Sequence, residues 1–188
     1  NAGLPDKQGS IISILAPFGS GKSTLLRIIS GIEDPSTGEV LFNGENIKQS
    51  GIKIPYMPER PSSFPWLNVK QNIEFGLKLP ENRSNEINID DIIYLAGLKG
   101  YENHFPNNSS LGFRFRIALA RTLTQNPSLI LIDDSFKAMY PETRDEIYDL
   151  ILNISKELKK VFVITTTNVV EAIRLSNRIL LMSNKPGR

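Results

Sequence analysis

The chain has 188 residues, 40% hydrophobic and 22% charged, with a formal net charge of +2. That length allows one domain with a real core and a small subdomain, and the charge is too small to imply nucleic acid or an anionic membrane surface as partner. There is no Cys and His104 is the only histidine, which excludes a disulfide framework, a thiolate metal site and a His-rich zinc site.

No apolar run reaches transmembrane length and no signal peptide is visible, so the protein is expected to be intracellular. The chain starts at Asn1 without an initiator Met and enters its first strand abruptly, which leaves room for residues upstream. Ile11–Leu15 is apolar enough for a buried strand. Pro17 to Gly21 is a tight glycine-bearing loop, and Lys22 onward reads as a helix through Ser30, with Gly31 at the C-cap. Strand, loop and helix in this order are the context of a phosphate-binding P-loop. Backbone N–H groups around Gly19, Ser20 and Gly21 would point into the loop, and the helix N-terminus adds partial positive charge. Lys22 is placed to reach the β and γ phosphates of a nucleotide, and the Ser23 hydroxyl, followed by Thr24, to ligate Mg²⁺. Ala16 stands where the pattern usually begins with Gly, and Ala is tolerated there if its φ is negative. A chance Gly-Ser loop ahead of a core helix is the alternative; Gly-Lys-Ser-Thr between strand and helix favours the phosphate cradle.

Asp34–Gly38 is a dense turn, Glu39–Phe42 a short strand, and Asn43-Gly44 a hairpin-turn signal. Ile52–Met57 suits another strand, with Pro55 arguing for an edge position or an early end. Pro58 to Pro65 cannot be regular. Asn68 is a candidate cap for a helix to about Leu77, and Pro80 to Asn85 is a polar turn. Asn88 caps a predicted helix from Ile89 to Ala96, with Ile89, Ile92, Ile93 and Ala96 on one face and Gly97 ending it. Asn107 to Ser110 precedes a helix from about Gly112 to Thr124. Leu129–Ile132 is a short, wholly apolar strand, as buried parallel strands are. Pro141 opens a helix running towards Leu158, with Ile147, Leu150, Ile151 and Ile154 on one face. Val161–Ile164 is a strand, Asn168 caps a helix through Leu175, and Ile179–Met182 is a final strand. Strands and helices alternate at both ends of the chain, so the core is α/β; the middle, Pro58 to Thr124, is mostly helical and interrupts it. Arg114, Arg116 and Arg121 are too sparse for a nucleic-acid stripe and suit packing or salt bridging. His104 suits a loop.

A nucleotide site in such a sheet needs a carboxylate near the magnesium. Asp133 falls at the end of a buried strand, the expected place for a Walker B aspartate, and Asp134 would stand near an attacking water. A strand-end Asp also caps turns, and nothing local to Asp134 demands catalysis.

With these residues in place the chain resembles the ATP-binding-cassette (ABC) transporter ATPases, above all the nitrate, sulfonate and taurine import group. The ordered blocks are the P-loop with Leu25–Gly31 and Pro35–Gly38, then Phe64–Val69, then Arg114 and Arg116–Arg121. They continue with Pro127–Asp133, Glu171–Ile173 with Ser176–Ile179, and Ser183–Arg188. The resemblance implies a P-loop NTPase fold: a RecA-like core sheet over residues 1–57 and 127–188, with an inserted helical subdomain over 58–126. It implies ATP and Mg²⁺ as ligands, with Ser23 and Asp133 at the metal. It implies a location in the cytoplasm, peripheral to the inner face of the membrane. Permease transmembrane subunits would be touched around Glu59 to Leu67, Phe64 and Trp66 included. A second ATPase domain, identical or not, would be stacked head to tail, and no nucleic acid is implied.

The same resemblance exposes departures. Glu59 holds the Q-loop position, where the family has Gln. Ser109–Phe113 match the signature, keeping Ser110 and Gly112 as nucleotide contacts but setting Leu111 where a partner's γ-phosphate should approach. Asp134 replaces the family's Glu and is one methylene shorter. Ser135, Tyr140 and Thr167 stand at the positions of a Pro, the D-loop Asp and the switch histidine. Asn1–Ser10 holds no adenine-stacking aromatic, and Phe18 adds bulk beside the P-loop. Residues for binding survive and those for hydrolysis are altered. The expected function is a nucleotide-binding importer subunit with weak or absent hydrolysis. The alternatives are a slow working ATPase and a non-enzymatic structural or regulatory domain that keeps the permease contact.

Overall fold

The computed structural model describes residues 9–78, 88–107 and 109–184. The turn expected over Pro80–Asn85, residue Asn108 and the terminal Lys185–Arg188 lie outside them. The elements are β1 (Ser10–Leu15), α1 (Lys22–Ile29), β2 (Leu41–Phe42), β3 (Glu45–Asn46), α2 (Ile47–Ser50) and β4 (Tyr56–Met57). Then come α3 (Val69–Phe75), running into a 3-10 turn (Gly76–Lys78), α4 (Ile89–Leu95) and α5 (Leu111–Leu123). The chain closes with β5 (Leu129–Asp133), α6 (Pro141–Glu157), β6 (Val161–Thr166), α7 (Val169–Leu175) and β7 (Arg178–Leu181).

The main sheet has five strands in the order β4-β5-β6-β1-β7, all parallel. Its central strands are near-continuous apolar runs because both faces are covered. One face carries Ile11, Ile130, Ile132, Phe162 and Ile164 into a core shared with α3 to α7. The other carries Ile12, Ile14, Leu131 and Val163 against Leu26 of α1 and Ile47 of α2. The alternation of odd and even residues between the two clusters is the period-2 signature of a pleated strand. The sheet and its flanking helices form the RecA-like P-loop NTPase fold, with the P-loop strand β1 and the aspartate strand β5 separated by β6.

Most predicted elements are present within a residue or two at each end. Pro55 has the expected effect. β4 begins only after it and lies at the sheet edge, and the Pro55 carbonyl accepts the Leu131 amide at 2.9 Å. Asn43 and Gly44 have φ of 53° and 84°, the two positive values of a type I′ turn, and β2 pairs with β3 across them. The single-turn helix α2 is not anticipated by the sequence reading; Asn46 caps it by accepting from the Lys48 amide. Asn68 and Gln71 form a capping box on α3. Ser110 caps α5 by accepting from the Phe113 amide, so the helix starts one residue earlier than its hydrophobic pattern indicates. Asn168 caps α7 through the Val170 and Glu171 amides.

Two arginines of α5 are used for packing. Arg116 donates to the Ala96 carbonyl and pairs with Glu146, and Arg121 donates to Ser62 and lies over the Phe64 ring. His104 sits in a loop, its carbonyl accepting the Val69 amide. Phe64 packs on Phe75 and stacks with Trp66, which is 70% exposed. No helix among the described residues is long and apolar enough to cross a membrane.

Candidate functional site: a phosphate-binding cleft at the end of the sheet

The loop between β1 and α1 owes its shape to two glycines. Gly19 and Gly21 have φ of 76° and 97°, a region that L side chains rarely adopt. The left-handed Gly21 is also the N-cap of α1 and supplies no side-chain cap. The first-turn N–H groups of the helix therefore lack an internal side-chain acceptor, and they carry the positive end of its dipole. Ala16 is buried and not among the residues of positive φ, which explains why Ala is accepted there.

Lys22 is 6% exposed. Its ammonium donates to the carbonyls of Ala16 at 3.0 Å and Pro17 at 2.9 Å, curling across its own loop. Ser20 is buried, and its hydroxyl has no hydrogen-bond partner. Phe18, Gly19, Gly21, Lys22, Ser23, Thr24, Glu59 and Asp134 line one open cleft of about 300 Å³. Residues from three separate segments thus meet where the sequence reading expects a nucleotide.

Asp133 lies behind the cleft at the end of β5 and is 3% exposed. Its two carboxylate oxygens accept from two hydroxyls, Tyr56 at 2.8 Å and Thr165 at 2.7 Å. Burial, with the Asp133 contact, pushes the Tyr56 hydroxyl up to about 12, so it stays a donor. The Thr165 oxygen also accepts the Asp134 amide at 3.1 Å, and the Thr165 carbonyl accepts it as well. One threonine thus ties both aspartates to β6. Neither Tyr56 nor Thr165 carries a local sequence signal for this role; they reach Asp133 only because β4 and β6 flank β5.

Asp134 has a φ of 42°, a left-handed conformation that short polar residues tolerate best. Burial pushes its carboxyl above the ordinary range; the Lys22 and Lys137 charges pull it down, and Glu59 and Asp133 push it up again. Glu59 faces Lys137 at 4.0 Å. Behind the site, the buried Glu171 accepts from the Tyr148 hydroxyl at 2.6 Å.

The other expected site residues are not in the cleft. Thr167 is exposed just past β6, and Ser110 is exposed at the start of α5; neither lines the cleft. Gly112 is buried, and a Cβ there would meet Thr143 Cγ2 at 2.3 Å. Its lack of a side chain is used by the close packing of α5 on α6.

Residues 3–137 match the ABC transporter family model. The chain is 39% identical over 183 residues to the uncharacterized ABC transporter ATP-binding protein YtlC of Bacillus subtilis (strain 168), covering 96% of this chain and 70% of that protein. It is 35% identical over 182 residues to the aliphatic sulfonates import ATP-binding protein SsuB of Bacillus cereus (strain ZK / E33L), covering 97% and 72%. Among solved structures it superposes on cbiO1 of Clostridium perfringens, part of the ABC transporter complex cbiONQ, with a TM-score of 0.80 and 26% identity over 93% of this chain and 74% of that one. It also superposes on an ATP-binding cassette solved as a dimer bound to ADP and Pi, with a TM-score of 0.75 and 28% identity over 98% and 87%. By its sheet order, its P-loop and these matches, the chain belongs to the ABC transporter family as an ATP-binding domain.

Proposed function

We propose that this chain is the nucleotide-binding subunit of an importer, that it binds Mg-ATP through the P-loop, and that it hydrolyses ATP weakly or not at all. The observation that carries the binding is Lys22. A buried ammonium satisfied only by two neutral carbonyls of its own loop gains by exchanging them for phosphate oxygens. The partnerless Ser20 hydroxyl and the uncapped N-terminus of α1 fit the same anion. Mg²⁺ also fits: the Ser23 hydroxyl would hold it, with Asp133 behind it, fixed by Tyr56 and Thr165. Bound there, Mg²⁺ would neutralise phosphate charge. Gly19, Gly21 and Thr24 complete the cradle.

The weak hydrolysis rests on what surrounds the terminal phosphate. Asp134 lines the cleft, but it is one methylene shorter than the Glu usual at that position, a misplacement that costs rate. Glu59 adds negative charge where a neutral donor would serve better, and Thr167 is exposed outside the cleft. Because Asp134 does reach the cleft, slow turnover is the second reading. Ser110 and Gly112 would serve the site of a second copy or a related chain, with Leu111 hindering close approach.

The lobes would run over residues 1–57 and 127–188 for the core and 58–126 for the helical part; no strand occurs in 58–126 among the described residues. Permease subunits would dock around Glu59–Leu67, where Trp66 is 70% exposed, and the subunit would lie on the cytoplasmic membrane face. The likeness to a sulfonate import protein favours a small anionic solute. Isothermal titration with Mg-ATP tests the binding. Saturable heat that disappears in Lys22→Ala is expected; no binding at millimolar nucleotide would overturn it. Phosphate release that is measurable and abolished by Lys22→Ala would establish the second reading instead.

A further inference from the structure

One cation at the cleft remains without an assigned role. Lys137 follows β5, four residues beyond Asp133, and its side chain is 52% exposed. Its ammonium lies 4.0 Å from Glu59 and 5.4 Å from the centroid of the Phe18 ring. Both of those residues line the cleft, and they come from different segments. Lys137 thus bridges the loop before α1 and the segment after β4 from the rim of the phosphate site. Its charge is felt inside the cleft, where it acts on Asp134 together with Lys22.

Neither contact holds the ammonium firmly. Glu59 is 62% exposed on its side chain and Phe18 is 84% exposed. An ion pair and a cation–π contact this open to solvent are weak and exchange readily. A terminal phosphate entering the cleft offers several charged oxygens, a stronger acceptor than one solvated carboxylate. It also suffers repulsion from Glu59, which the displaced Lys137 is positioned to offset. A β-phosphate held by the loop would have the Lys22 ammonium as its counter-charge.

We infer that Lys137 is a second phosphate-binding cation, which leaves Glu59 for the terminal phosphate of a bound nucleotide and so sets the preference for triphosphate over diphosphate. The inference rests on the P-loop binding nucleotide as proposed above. In this arrangement Glu59 is a counter-ion that parks Lys137 when the terminal phosphate is absent, and the Phe18 ring is an aromatic face beside the ammonium. The exposed aromatic in the loop thereby gains a role that packing does not give it.

The test is a titration of wild type, Lys137→Ala, Lys137→Arg and Lys22→Ala with Mg-ATP and Mg-ADP, with thermal melts as a folding control. Lys137 and Glu59 are more than half exposed, so the Lys137 variants and Glu59→Gln are expected to fold, and the melts check the buried Lys22→Ala. Lys137→Ala should weaken ATP binding about tenfold, the size of one lost charge-assisted contact, and change ADP binding less than about twofold on the same grounds. Lys137→Arg should recover most of the loss, and Glu59→Gln should tighten ATP binding more than ADP binding. Equal weakening of both nucleotides in Lys137→Ala, or no weakening of either, would overturn the inference while leaving the P-loop reading intact. Wild type binding neither nucleotide, or Lys22→Ala binding both unchanged, would overturn the P-loop reading and the inference with it.

Discussion

Thr165 joins two residues of the site through one hydroxyl. Its hydroxyl donates to Asp133 and accepts from the Asp134 amide, and it is fully buried. Thr165→Val keeps the shape and removes both bonds, leaving one lone pair of a buried carboxylate and one amide less well satisfied. A loss of about 1–3 kcal/mol in urea denaturation is expected; a loss indistinguishable from zero would mean that water replaces the hydroxyl without cost. Glu171 gives a pH dependence at the same scale. Burial holds its carboxyl above the ordinary glutamate value of 4.5, while the Tyr148 hydrogen bond pulls it back and the Asp134 charge raises it further. The folded protein therefore binds this proton more tightly than the unfolded chain does. Its contribution to stability is complete below pH 4.5 and is lost as the pH rises through the raised folded value. Glu171→Gln removes the titration, so the variant should gain stability relative to wild type between pH 4.5 and neutrality. Parallel denaturation profiles for the two proteins across that range would contradict this.

At the scale of elements, the contact between α5 and α6 depends on one missing atom. A Cβ on Gly112 would come within 2.3 Å of Thr143 Cγ2, so Gly112→Ala must push the helices apart or shift the threonine. The better helix propensity of Ala offsets part of that cost. A net destabilisation of about 1–3 kcal/mol is expected, and Thr143→Ser, which deletes Cγ2, should restore most of it in the double variant. No recovery in the double variant would place the strain elsewhere. This contact illustrates what the sequence could and could not disclose. Apolar runs, Asn and Ser caps, Asn43-Gly44 and Pro55 announced most strands, helices and turns, because each acts through its neighbours in the chain. Gly19 to Thr24 announced the loop for the same reason. Gly112 could be read only as a family position, since its packing against Thr143 depends on where α6 returns. The Tyr56–Asp133–Thr165 bonds and the Glu171–Tyr148 pair join residues brought together by sheet order alone. The α2 turn was missed because four residues carry no helical period. Lys22 lies in the loop that the sequence marks, but its bonds to Ala16 and Pro17 follow from the loop's shape.

At the scale of the whole molecule, the residues proposed to bind nucleotide are gathered at one place. One end of the parallel sheet gathers Lys22, Ser23, Thr24, Asp134 and Glu59 on a single cleft, with Asp133 fixed behind it. Ser110, Gly112 and Thr167 lie outside that cleft; Ser110 caps α5 and Gly112 lies in its first turn. On the reading proposed above, this cleft would hold the nucleotide, while the groups expected to drive cleavage are substituted or lie outside it. The most direct test is the fate of bound nucleotide: the protein is saturated with Mg-ATP, freed of excess, and the bound material is quenched and separated by chromatography over time. The account predicts that nucleotide is retained, that retention requires Lys22, and that it is recovered almost wholly as triphosphate. Retained nucleotide that converts promptly to ADP and phosphate, or no retained nucleotide at all, would contradict it.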